Sequence, residues 1–122
     1  MGPRGYEIEA RFGGNLPYAF PTVDKWDPST GVVTSIKTFN LKDGTYLNPR
    51  KLKWKLQEYI RKVAGFNGAQ RGGFRIVEDD ITQRVLEVGI PHGPTAEQAA
   101  VFEAATAYAR EHGVELIVRT VR

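Results

Sequence analysis

Three features of the sequence predict an α/β fold. Residues 32–41 form a β-branched run that alternates with period two, two stretches carry apolar residues at helical spacing, and Val114 to Val121 alternates as a closing strand. The helix ahead of that last strand is long enough for the crossover that sets the final two strands parallel. The expected order is helix-strand-strand-strand-helix-strand, with an extra basic helix after the second strand. At 122 residues, with 41% hydrophobic and 25% charged content, the chain reads as one domain, residues 1–122, with a single core.

Met1 to Gly5 is expected to lack order and in part to derive from an expression vector. In YEIEARF (6–12), Tyr6, Ile8 and Ala10 alternate with charges, and local reading leaves helix and strand both open. Gly13, Gly14 and Asn15 stop it. Phe20 to Leu41 then reads as two strands joined through Asp27-Pro28-Ser29-Thr30-Gly31, where proline presets φ and glycine relieves the exit. On the second strand, Val33, Ser35, Lys37 and Phe39 share one face.

Lys42 to Leu47 is expected as a loop, after which Asn48-Pro49 offers an N-cap and a first-turn proline. The helix over 49–64 sets Leu52, Leu56, Tyr59, Ile60 and Val63 on one stripe and ends at Gly65. Phe66 to Gly73 is expected as a flexible connection and Phe74 to Val77 as a short strand before the acidic turn Glu78-Asp79-Asp80. Arg84 to Ile90 is the better strand, closed by Pro91-His92-Gly93-Pro94. Thr95-x-x-Gln98 is a capping box, and the helix it opens ends at Gly113.

The absence of cysteine removes disulfide scaffolds, thiolate metal sites and cysteine nucleophiles. No run approaches a membrane span and no signal-peptide core is seen, so no membrane association of this domain is expected. A net charge of +3 and a pI near 9.3 lean toward an anionic partner. The basic residues concentrate on the helix over 49–64, where Arg50, Lys51, Lys53, Lys55, Arg61 and Lys62 face the single acid Glu58. Trp54 projects opposite the apolar stripe between Arg50 and Arg61, an arrangement that can stack a base and grip phosphates. Arg50, Lys53, Trp54, Lys55 and Arg61 are therefore the candidate nucleic-acid contacts.

The hairpin carries the candidate chemistry. It brings Asp24 and Asp27 near Ser35 and Lys37, an acid facing a hydroxyl and a lysine two positions apart. Metal-assisted cleavage of a phosphodiester needs a carboxylate and neutral oxygens around a divalent ion, Mg²⁺ or Mn²⁺, and a cation for the developing charge. Asp24 can supply the central carboxylate, Glu9 or Glu7 a second, and Lys37 the cation. The competing reading is a solvated hairpin with a cross-strand ion pair. Against it, Lys37 sits between Val33 and Phe39, where a lysine needs a partner. His92, in a tight proline-glycine loop, and His112, at a helix end, are the residues a metal-free acid–base mechanism would use.

The run from Asp24 through Ser35-Ile36-Lys37, the strand VLEVGIP (85–91) and the closing GVELIVRTV resemble the C-terminal nuclease toxin domains of contact-dependent growth inhibition proteins of the CdiA type. That group has a PD-(D/E)XK, or restriction-endonuclease-like, core. The resemblance implies that Glu9, with Glu7 as competitor, is the acid of the first helix. It makes Asp24 the metal-binding aspartate, with Asp27 as second candidate, and Lys37 the motif lysine. Ser35 stands where the wider superfamily has an acid, and the toxin group resembles this chain in having serine there. The resemblance further implies RNA as substrate, tRNA above all, with a DNA-cleaving relative as the alternative. It also implies a cognate immunity protein, and delivery as the end of a larger secreted protein into the cytoplasm of a target bacterium. A non-catalytic nucleic-acid-binding module using the basic helix is the alternative from another class.

Overall fold

A computed structural model describes residues 13–17 and 19–120. Met1 to Gly5, the 6–12 segment and with it Glu7 and Glu9 lie outside the described residues. Strand β1 (Lys25–Asp27) and strand β2 (Val32–Thr38) form the opening hairpin. A single-turn helix α1 (Gly44–Leu47) leads into α2 (Pro49–Ala64). A second hairpin, β3 (Gly68–Arg71) and β4 (Phe74–Val77), precedes a 3₁₀ turn at Glu78–Asp80. Strand β5 (Gln83–Ile90), helix α3 (Ala96–Glu111) and strand β6 (Val114–Thr120) complete the chain.

The main sheet has the order β1-β2-β5-β6, with β2 parallel to β5 and β5 parallel to β6. Strand β5 is central and buried from Val85 to Ile90, as expected for a parallel strand covered on both faces. Ser35 pairs with Leu86 and Lys37 with Val88, so these four side chains share a face. On that face Leu86, Val88, Ile90 and Leu116 meet Leu52, Leu56, Ile60 and Val63 of α2 and Phe102, Ala105 and Ala109 of α3. Each fully buried leucine or isoleucine there contributes on the order of 2 kcal/mol. A smaller cluster of Phe20, Val23, Val33, Phe66 and Ile76 seats the second hairpin beside the first.

Helix α2 starts where the proline and cap signals place it: the Asn48 carboxamide oxygen accepts from the amides of Arg50 and Lys51. Helix α3 opens on the complete capping box. Gln98 is buried and also donates to the carbonyls of Leu41 (2.8 Å) and Tyr46 (3.1 Å), which ties the 41–46 segment to α3.

Three local expectations are corrected. The expected 42–47 loop contains α1, because the Asp43 carboxylate accepts from Thr45 N at 2.9 Å and caps a turn. The expected flexible 66–73 connection contains β3. Gly72 and Gly73, at φ 59° and 81°, are the left-handed pair that a two-residue hairpin turn requires. Strand β2 ends at Thr38 rather than continuing to Leu41, although Phe39 N still donates to Gly89 O.

Candidate active site

Asp24 immediately precedes β1, and its backbone amide donates to Thr34 O at 2.8 Å. Its side chain then does what the next residue of a longer β1 would do: Oδ2 accepts the backbone N–H of Ile36 at 2.7 Å. One carboxylate oxygen is thereby fixed against β2, and Oδ1 carries no hydrogen bond among the described residues. Burial pushes the Asp24 carboxyl above the usual aspartate range, while the Ile36 hydrogen bond and the charge of Lys37 pull it partly back. This is a carboxylate short of solvation.

Ser35 and Lys37 point from the same face of β2 into a cleft of about 380 Å³ whose wall also includes Thr22, Tyr59 and Lys62. The Lys37 ammonium lies 5.0 Å from the centre of the Tyr59 ring. Lys55 lies 4.9 Å from the same ring and pairs with Glu58 at 2.9 Å. The partner that a lysine among Val33 and Phe39 requires is thus an aromatic face, together with the nearby negative charge of Asp24.

The other sequence candidates fall elsewhere. Asp27 is used inside the hairpin turn, where Oδ1 accepts from Ser29 N (3.0 Å) and Ser29 Oγ (2.6 Å), bonds that hold its carboxyl below the usual range. His92 lies in the loop after β5 and does not line the cleft. The ring of His112 stacks on Tyr108, with Nδ1 2.8 Å from Tyr108 O. On α2, Trp54 is 63% exposed, but it lies about 140° around the helix from Tyr59. Arg50 and Lys53 are exposed, whereas Arg61 donates to the Tyr108 hydroxyl at 3.2 Å.

Sequence reasoning missed three wall residues. Tyr59 counted as core because it falls on the apolar stripe, and Thr22 carried no signal at all. Lys62 was legible in principle, since it sits only about 60° from Tyr59 on the helical wheel.

A second hollow, about 410 Å³, lies between α3 and the start of β6. Its one carboxylate, Glu115, accepts from the Gln83 carboxamide, and no lysine lines it.

Among the described residues no three His, Cys, Asp or Glu side chains gather at one point. The oxygen donors here are the Asp24 carboxylate, fixed to Ile36 N beside the cleft, and the hydroxyls of Thr22, Ser35 and Tyr59 in its wall, all hard oxygen ligands. They fit an oxygen-preferring ion that keeps most of its waters. The desolvation of Asp24 supports the fit, because a bound cation would offset it.

A mixed sheet of this order, with an acid fixed against one strand and a lysine on that strand, matches the class of restriction-endonuclease-like domains. The chain belongs to the family of CDI toxin restriction endonuclease-like domains, whose profile matches residues 4–119. It is 28% identical over 111 residues to Deoxyribonuclease CdiA of Yersinia pseudotuberculosis, covering 90% of this chain and 10% of that protein. It is 27% identical over 108 residues to Deoxyribonuclease CdiA-o11 of Escherichia coli O157:H7, covering 88% of this chain and 29% of that protein. Among solved structures it matches the CdiA-CT/CdiI toxin and immunity complex from Yersinia pseudotuberculosis with a TM-score of 0.79 and 25% identity, over 99% of this chain and 100% of that one. Both curated relatives are named as deoxyribonucleases, which overturns the expectation of RNA, and tRNA in particular, as the substrate. Nothing in a basic helix and a hairpin distinguishes the two polymers, because phosphate contacts are common to both.

Proposed function

We propose that this chain is a divalent-metal-dependent deoxyribonuclease toxin domain that hydrolyses DNA phosphodiesters. The observation that carries the reading is Asp24 bonded to the backbone of Ile36, between Ser35 and Lys37, whose side chains line a cleft together with Thr22, Tyr59 and Lys62. A phosphodiester enters as an anion, and Lys37 and Lys62 offset its charge in a cleft where solvent screening is reduced. Asp24 Oδ1 and the Ser35 hydroxyl are the chain's donors to Mg²⁺ or Mn²⁺, with a further carboxylate expected from Glu9 or Glu7. Such an ion supplies Lewis-acid support and a water of lowered pKa.

Lys37, its ammonium held over the Tyr59 ring, orients the attacking water and balances the charge that gathers on the phosphoryl oxygens. Arg50, Lys53 and Trp54 extend the contact along the outer side of α2. The great length of the curated relatives and the immunity partner in the matched complex support two further readings. The domain is delivered as the C-terminal part of a larger protein into the cytoplasm of a target bacterium, and a cognate immunity protein neutralises it.

Incubation with plasmid DNA tests this. Supercoiled DNA is expected to be nicked and linearised with Mg²⁺ or Mn²⁺ and to stay intact with EDTA, while total tRNA under the same conditions survives. Cleavage that persists in EDTA would sink the metal-dependent reading.

A further inference from the structure

Thr22 adopts φ 67°, the single positive-φ residue other than glycine among those described. For a β-branched residue this is a genuine outlier, since Cβ crowds the backbone in the left-handed region. The cause is local: Val23 N donates to Pro21 O at 2.7 Å, closing a three-residue turn around Thr22. With positive φ at its centre, this is the rarer and more strained γ-turn.

The flanks hold the turn in place. Phe20 and Val23 are both buried in the smaller core, Pro21 restricts the entry, and Asp24 is locked to β2 on the exit side. Glycine would adopt this conformation without steric cost, and glycines at 13, 31, 68, 72, 73 and 113 take positive φ elsewhere in the chain. At this position the strained conformation carries a hydroxyl, and that side chain stands in the wall of the cleft beside Ser35, Lys37 and Lys62. No hydrogen bond among the described residues engages the hydroxyl. Strain of this kind persists where the surroundings over-determine it, characteristically at functional sites.

We infer that Thr22 is a substrate-contact residue whose hydroxyl donates to a non-bridging phosphate oxygen of the bound DNA strand, with the γ-turn holding it in register with Asp24 and Lys37. The inference rests on the nuclease reading of the same cleft. Two lysines supply charge there but not direction, because an ammonium is a mobile point charge. A hydroxyl on a rigid turn supplies direction, and threonine hydroxyls are ordinary phosphate contacts.

The test uses the full chain in three variants, with plasmid cleavage in Mg²⁺, binding of a labelled DNA duplex in EDTA, and thermal unfolding. Thr22→Val keeps shape and backbone strain but removes the donor. It is expected to weaken duplex binding and kcat/KM by about 10- to 100-fold, mainly through KM, with Tm unchanged. Thr22→Ser is expected to stay within about threefold of wild type. Thr22→Gly is expected to raise Tm by a few degrees and still lose cleavage as Thr22→Val does. Wild-type binding and cutting by Thr22→Val overturns the inference, and so does recovery of activity in Thr22→Gly, which would mark the turn as merely structural. A wild-type chain that binds DNA without cutting it overturns the nuclease reading instead. The phosphate contact of Thr22 then stands if Thr22→Val weakens duplex binding and falls if it does not.

Discussion

Asp24 combines two demands that pull against each other. Its carboxyl is raised by burial, so folding disfavours the ionised form relative to the unfolded chain, and that form costs stability. For an acid shifted upward, the stabilisation is full below the ordinary aspartate value and is lost as pH rises through the raised one. Without divalent metal, Asp24→Asn is therefore expected to raise Tm by a few degrees at neutral pH while abolishing cleavage, as scanning calorimetry and the plasmid assay would show. Its amide oxygen can still accept from Ile36 N, so the fold loses no bond. Added Mg²⁺ should narrow the gap by stabilising wild type alone, since an ion that binds only the native state adds to its stability. The rate should fall on its acid side, where protons compete with the metal for the Asp24 carboxylate. Tyr59 acts on the neighbouring group. Tyr59→Leu keeps apolar packing but removes the face over which Lys37 rests, and kcat is expected to drop about tenfold with little change in Tm. Equal activity in that variant would show that Lys37 needs no such support.

At the scale of elements, the opening hairpin is fixed by its turn as much as by its strands. Gly31, at φ 81°, packs so closely that an added Cβ would stand 2.5 Å from Asp80 O and 2.7 Å from Thr82 Cγ2. Its carbonyl accepts from Thr82 N at 2.8 Å, and Thr82 Oγ1 bonds Thr30 O at 2.6 Å. Gly31→Ala is expected to destabilise the chain by about 2–3 kcal/mol, measured by urea unfolding, because it combines backbone strain with a backbone clash. The turn was legible in the sequence from Asp27-Pro28 and Gly31, and so were α2, α3 and β5, whose periodicity and caps agree. The Phe66–Gly73 stretch was not. Glycine-rich sequence has little side-chain pattern to read, and Gly72-Gly73 signals a hairpin only when the strands beside it are recognised. Asp24, Ser35 and Lys37 could be read from strand alternation across one hairpin. Thr22 reaches the cleft through tertiary packing, which spacing along the chain does not record.

Over the whole molecule, charge and shape act together. Among the basic residues of α2, Lys62 in the cleft wall and Lys55 on the Tyr59 ring form an inner group, while Arg50, Lys53 and Arg61 lie on the outer side of the helix. Only the inner group adjoins the reacting phosphate in the proposed complex. Duplex affinity should fall steeply with salt, and Lys62→Ala should reduce the slope of log K against log salt by about 0.9, the contribution of one phosphate contact. An unchanged slope would remove Lys62 from the DNA interface. The parallel pairing of β2 with β5 has a further consequence, in time rather than in space. The β1–β2 hairpin is local, whereas pairing β5 with β2 must close the long stretch from Phe39 to Thr82. Tyr59 and Lys62 travel within that stretch. Asp24 and Lys37 can therefore be neighbours in a partly folded chain well before the wall of the cleft exists. On the proposed reading, activity is expected only once the fold is complete, and an unfolded chain would carry Asp24 and Lys37 without the cleft that Tyr59 and Lys62 help to wall.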